Sequence, residues 1–154
     1  MKLKIYIDTS VIGGYFDKEF DESTKLFFDK IFESNAILLV SNLLEFELIS
    51  APQFIRDFFD NLPKEKIVKI ESSEEAQNLA QMYIDEKIVS KTSLLDCQHI
   101  ATATLNYADV LVSWNFKHIV NLMRIKGYNS INLREGYHTL EIRTPKEIFK
   151  DENE

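Results

Sequence analysis

The unbroken apolar run Ala36-Ile37-Leu38-Leu39-Val40 constrains this chain more than any other stretch. A run this short reads as a strand, and a strand with no polar side has to be covered on both faces. Other short runs supply its neighbours. Lys2 to Asp8 carries Leu3, Ile5 and Ile7 at period two, and Thr9, Ser10, Gly13 and Gly14 break it. Ile67 to Ile70 predicts a third strand, and Asp109 to Trp114, with Val110, Leu111 and Val112, a fourth. Helical stretches lie between them. Ser23 to Phe32 carries an apolar stripe of Leu26, Phe27, Phe28 and Ile31. Asn42 to Ser50 stops ahead of Pro52, which disfavours helix in the residue before it. Gln53 to Asn61, Ser73 to Glu86 and Thr92 to Asn106 follow, the last with Leu95, Ile100 and Ala103 among its apolar positions. Strands spaced by helices predict an α/β domain with a mostly parallel central sheet, whose sites gather outside the carboxyl ends of the strands.

The 154 residues suit one globular domain spanning 1–154, with a core over about 4–133 and a peripheral tail over 134–154. Within the later part, Ser130 to Leu133 reads as an edge strand. Thr144-Pro145-Lys146-Glu147 reads as a helix start, with Thr as N-cap, Pro in the first turn and Glu three residues on. Lys150 to Glu154 is polar and expected to fray. Eighteen basic against 25 acidic residues give a net charge of −7, which excludes a broadly basic nucleic-acid coat and a polybasic membrane anchor. A lone cysteine, Cys97, cannot form an internal disulfide and points to a reducing cytoplasmic setting. Asp8 arrives too early for a signal-peptide core, and no run approaches the ~18 apolar residues of a membrane span.

The polar residues at predicted strand ends carry the functional signal. Asp8 closes the first strand beside Thr9 and Ser10; it can ligand a hard cation or cap the segment that follows. Asp96 sits early in a helix, where Ser93 and Asp96 have capping-box spacing, yet its neighbours Leu94, Leu95, Cys97 and Ile100 are apolar. A carboxylate beside such a stripe is costly unless paired or metal-bound. Glu45 and Glu47 share a helix but stand about 200° apart around it, so they cannot face one site together. Asn42 and Glu45 have capping-box spacing, whereas Glu47 has Leu43 and Leu44 before it and Ala51 after it, which favours Glu47. Three acids brought together repel unless a cation balances them, and oxygen ligands suit Mg²⁺ or Mn²⁺.

Four ordered stretches resemble the PIN-domain family, to which the VapC-type ribonuclease toxins belong. Ile5-Tyr6-Ile7-Asp8-Thr9-Ser10 looks like the family's opening strand and first acid. Val40-Ser41-Asn42-Leu43-Leu44-Glu45-Phe46-Glu47-Leu48 looks like the stretch whose Glu-Leu pair carries the second. Leu95-Asp96-Cys97-Gln98-His99-Ile100-Ala101 looks like the helix bearing the third, and Ala108 to Asn115 like the strand ending at the fourth polar position. The resemblance spans roughly Lys4 to His118. It implies a three-layer α/β/α sandwich and Mg²⁺- or Mn²⁺-dependent cleavage of single-stranded RNA. It further implies a small antitoxin as partner and a homodimer; the expectation of no membrane partner rests on the charge and the missing apolar run. Asp8, Glu47 and Asp96 would be the metal ligands and, with Asn115, the catalytic set; Thr9, Ser10 and Ser113 would support them. Asn115 stands where PIN domains often have aspartate. That departure leaves an alternative, a PIN-like module that binds RNA or a protein partner with little catalysis. Asp109, at the other end of the same strand, is not expected to substitute.

The remaining candidates have plainer readings. His99 shares a helical face with Asp96 and is expected to pack in the core or bond locally. His118 and His138 have no paired ligand spacing, and Cys97 reads as a small core residue. Phe16, Phe20, Phe27, Phe28 and Phe32 are expected in core or dimer packing. Lys117, Arg124 and Lys126 are the local positive positions for RNA, and Phe116 could stack on a base.

Overall fold

In the computed structural model, which describes residues 2–149, strands and helices alternate along the chain. In order they are β1 (Lys4–Ile7), α1 (Thr9–Gly14), α2 (Asp21–Glu33), β2 (Ile37–Ser41), α3 (Asn42–Leu48), α4 (Gln53–Asp60) and β3 (Ile67–Ile70). Then come α5 (Glu74–Asp85), α6 (Leu94–Leu105), β4 (Val110–Val112), α7 (Leu122–Arg134), β5 (Ile142–Arg143) and α8 (Pro145–Ile148). The sheet order is β3-β2-β1-β4-β5, and every neighbouring pair is parallel. Parallel strands joined by helical crossovers place helices on both faces.

Period-two alternation divides the central strands between two cores. Ile5, Ile7, Leu38, Val40, Val110 and Val112 point to one side, where they meet Val11, Ile12, Phe27, Phe28, Ile31 and Leu44. Tyr6, Leu39 and Leu111 point to the other, against Leu79, Tyr83, Ile100 and Tyr128 from α5, α6 and α7. These side chains are almost wholly removed from water, each worth about 1.5–3 kcal/mol of burial for the larger aliphatics. Tyr6 shares its parity with Asp8, Leu39 with Ser41 and Leu111 with Ser113. The polar residues ending the three central strands therefore emerge on the α5–α6–α7 side, at the carboxyl edge.

The structure departs from the sequence reading in three places. Ser130 to Leu133 is not an edge strand but the last part of α7, capped by Asn121, whose side chain accepts from Arg124 N–H at 3.2 Å. Helical spacing of Ile125, Tyr128 and Ile131 buries its inner face, and fully buried Asn132 accepts from the Tyr83 hydroxyl. Thr9 to Gly14, read as a break, continues as the short helix α1. Gly14 is required there because a Cβ would come within 2.7 Å of the Trp114 ring. Third, residues 140–148 are not peripheral. Ile142 and Arg143 form the sheet's edge strand, with Leu140 and Ile142 in the core. Thr144 and Glu147 make the expected capping box on α8, which packs against α2. Lys150 to Glu154 lie outside the described residues.

Phe27 and Phe28 are core residues, while Phe16 and Phe32 remain exposed and Phe20 stacks on Trp114 with ring centroids 4.4 Å apart. Cys97 is buried and unpaired. Among the described residues no helix is long and apolar enough to cross a membrane.

Candidate active site

Asp8 leaves β1 with extended backbone (φ −91°, ψ 176°) and stands at the N-cap of α1 without capping it. Its carboxylate instead accepts from two hydroxyls, Ser10 Oγ to Oδ1 at 2.6 Å and Ser113 Oγ to Oδ2 at 2.6 Å. Each hydroxyl is itself oriented by a main-chain donor: Trp114 N–H reaches Ser10 Oγ at 2.9 Å, and Asn115 N–H reaches Ser113 Oγ at 2.9 Å. A carboxylate only accepts, so both hydroxyl hydrogens point at Asp8. Asp8 is 4% exposed. Burial pushes its pKa up; a charge on His99 and the two hydroxyls oppose this, and the Asp96 charge adds to it.

Asp96 lies in the first turn of α6, which begins at the same edge of the sheet. The Ser93–Asp96 capping box does not form: Ser93 makes no side-chain cap bond, and its Oγ is buried without a hydrogen-bond partner. Asp96 is thereby free of a capping duty. Burial pushes its pKa up, His118 and His99 pull it down when charged, the Glu47 charge raises it, and the Asn115 side chain lowers it.

Glu47 is held differently. Its Oε1 accepts from Thr9 Oγ1 at 2.8 Å and stands 2.7 Å from His99 Nε2. Burial raises its pKa, but His99 and the Thr9 hydroxyl outweigh this and the net shift is downward. Glu45 points elsewhere, 3.6 Å from Lys69 Nζ. The Asn42–Glu45 capping box is absent too: Ser41 is the N-cap of α3, and Asn42 Oδ1 accepts from Ser72 N–H at 2.8 Å.

Asn115 follows β4, and its Oδ1 accepts from His118 N–H at 3.0 Å. The structure thus gathers Asp8, Glu47, Asp96 and Asn115, with Thr9, Ser10 and Ser113 behind them, at the carboxyl edge. Asp109 is at the opposite end of β4, accepting from Lys4 N–H at 2.7 Å. His118 Nδ1 pairs with Arg124 Nη1 at 2.7 Å, while Lys117 and Lys126 are exposed.

A hard divalent cation fits this donor chemistry, which is all oxygen and includes three carboxylates. Among the described residues, no group of three or more His, Cys, Asp or Glu side chains is placed to hold a metal ion. An ion here would complete its shell with water, as Mg²⁺ does when one or two carboxylates hold it.

No protein-family model and no curated protein matches the sequence. Solved structures do match the fold. A VapBC2 structure from Rickettsia felis, bound to a DNA fragment from the promoter, shares a TM-score of 0.50 and 16% identity over 92% of this chain and 98% of its own. A DNA-bound VapBC structure from Salmonella typhimurium gives 0.50 and 14% identity over 93% and 98%. The protein has a PIN/VapC-type fold. In this PIN/VapC-type fold the four stretches read from the sequence fall on β1 and α1, β2 and α3, α6, and β4 with the turn after it.

Sequence reasoning missed how His99, Tyr6 and Ser41 serve Glu47. His99 Nδ1 is 2.6 Å from the Tyr6 hydroxyl, which is 2.8 Å from Ser41 Oγ. Part of the signal was present: His99 is three residues from Asp96 on one helical face, and Tyr6 is two from Asp8 on one strand face. The crossing of α6 over β1 and β2, which brings these faces together, is tertiary.

Proposed function

We infer that the protein is a metal-dependent endoribonuclease that hydrolyses phosphodiester bonds of single-stranded RNA, as the toxin of a toxin–antitoxin pair. The observation that carries this reading is Asp8: a buried carboxylate, with Asp96's charge upon it, at the carboxyl edge of a parallel sheet. Asp8, Glu47 and Asp96 would hold Mg²⁺ or Mn²⁺, directly or through water. The chemistry such an ion would supply is a water nucleophile at neutral pH and balance for charge developing on the phosphoryl oxygens. Ser10 and Ser113 fix the Asp8 carboxylate, Thr9 and His99 fix Glu47, and Asn115 orients a water beside Asp96. No protein nucleophile is required.

Exposed Phe116 offers a stacking face, and Lys117, Arg124 and Lys126 offer phosphate contacts beside it. With a net charge of −7, RNA affinity is weak and falls steeply with salt. A groove of about 230 Å³ between α3 and α4 is lined by Leu48, Ile49 and Phe59, with Glu45, Arg56 and Asp60 at its rim. Phe46, Ile49 and Phe54 are exposed around it, an apolar surface suited to an antitoxin protein or to a second copy in a homodimer. Buried Cys97 suits a reducing cytoplasm.

Asn115 favours one second reading, since it brings no charge and its oxygen serves the His118 turn. In that reading the ion is held weakly and RNA or a partner is bound but not cut. The test is cleavage of mixed single-stranded RNAs by purified protein with Mn²⁺, Mg²⁺ or EDTA, beside Asp96→Asn. Cation-dependent cleavage lost in the variant is expected. Cleavage that persists in EDTA overturns the metal dependence, and cleavage that persists in folded Asp96→Asn overturns the assigned site. No cleavage by the wild type, with Mn²⁺ affinity strengthened by Asn115→Asp, establishes the second one.

A further inference from the structure

Ser41, Tyr6, His99 and Glu47 form a line of buried or half-buried groups joined end to end by contacts of 2.8, 2.6 and 2.7 Å. Neither hydroxyl nor the imidazole fixes its proton alone, but the line as a whole does. Ser41 is fully buried, and its side chain has Tyr6 as its hydrogen-bond partner. Were Tyr6 to donate to Ser41, the Ser41 hydrogen would be left without an acceptor, an expense native interiors avoid. The satisfied order has Ser41 donating to Tyr6, Tyr6 donating to His99 Nδ1, and His99 donating from Nε2 to Glu47. Thr9 donates to the same Glu47 oxygen.

We propose that this one-way chain fixes His99 as the tautomer protonated at Nε2, commits Glu47 Oε1 to the protein, and leaves Oε2 as the oxygen that meets the cation. His99 is then a positioning residue, acting through Glu47. It selects one of the two carboxylate oxygens and stops the side chain from turning. The Tyr6 ring, edge-on to the imidazole at 5.7 Å between centroids, holds the ring plane as well. The proposal rests on the cation-dependent reading above and names how its second acid is set. Partners that orient a ligand in this way are worth about 10- to 100-fold in metal affinity.

Two readouts test it. Nitrogen-15 NMR of the histidine rings in the metal-free full chain reports the tautomer: a bare Nδ1 and protonated Nε2 at His99 are expected, and a proton on Nδ1 overturns the proposal. Calorimetric Mn²⁺ titration is run on wild type, His99→Leu, His99→Gln and Tyr6→Phe. A loss of about 10- to 100-fold in His99→Leu is expected. Recovery of most of it is expected in His99→Gln, whose amide places a donor where Nε2 stood, with an intermediate loss in Tyr6→Phe. Wild-type binding matched by His99→Leu overturns the positioning role and leaves the nuclease reading standing. No binding by the wild type overturns both.

Discussion

The two corners of the candidate site are built on opposite terms. In the Glu47 corner, Thr9 and His99 together hold the carboxylate's pKa below its ordinary range despite burial. In the aspartate corner, two hydroxyls fall short of offsetting the burial of Asp8, and Asp96 and Asp8 each carry raised pKa values. The Glu47 charge is satisfied by the protein; the aspartate charges are not. The difference teaches where the cost of the site lies, and which charges a cation would relieve.

The comparison breaks first at the aspartates. Asp8→Asn or Asp96→Asn is expected to lower cation-dependent RNA cleavage by at least about a hundredfold, since a metal's charge stabilisation is worth several kcal/mol and each 1.36 kcal/mol is tenfold. Initial rates at saturating Mn²⁺ check this. The same Asp8→Asn change has the opposite effect on the metal-free fold. A raised native pKa means that the folded state binds the proton more tightly, so stability is full below the ordinary carboxylate value and is lost as pH rises through the native one. Metal-free Asp8→Asn is therefore expected to be more stable than wild type at neutral pH, by on the order of 1 kcal/mol. The advantage narrows as pH falls and closes below about pH 3, where Asp8 is protonated in both states. Urea unfolding at pH 7 and at about pH 3 in EDTA measures both ends of that window.

Smaller effects sharpen the other corner. Thr9→Val removes one of two donors to Glu47 Oε1 and is expected to weaken Mn²⁺ binding by roughly 3- to 10-fold, the worth of one ordinary hydrogen bond of about 1 kcal/mol. Titration calorimetry reads it. Smallest is Glu45→Gln, which breaks an exposed pair with Lys69 and should move stability by under about 0.5 kcal/mol and Mn²⁺ affinity not at all. A matched pair of titrations distinguishes this glutamate from Glu47.

Much of this architecture is written locally. The apolar run into β2 and the period-two pattern of β1 announce central strands. The alternation that sends Ile5 and Ile7 one way also sends Tyr6 and Asp8 the other. The Thr144–Glu147 capping box is legible because all of its parts lie within one turn. The failures are the elements that tertiary contacts decide. Gly127 and the polar residues around it hide α7, whose inner face is fixed by Tyr83 and the core rather than by propensity. The two-residue β5 is recruited only because β4 offers an edge. In the site, spacing could propose Asp8, Glu47 and Asp96 one at a time. It gave capping boxes to Asp96 and Glu45 that do not form, because Ser93 is buried without a partner and Ser41 takes the N-cap of α3. That Thr9 and His99 would meet on one oxygen of Glu47 depends on α3 and α6 converging, which no local pattern records.

Thermal melting of wild type and Asp8→Asn, each in EDTA and in excess Mn²⁺, tests most directly whether the aspartate charges await a cation. Wild type should melt higher with Mn²⁺, by an amount corresponding to about 2.7 kcal/mol when the free ion stands at a hundred times its dissociation constant. Asp8→Asn should melt above wild type in EDTA and respond little to the ion. No rise in wild type, or an equal rise in both proteins, would contradict the account.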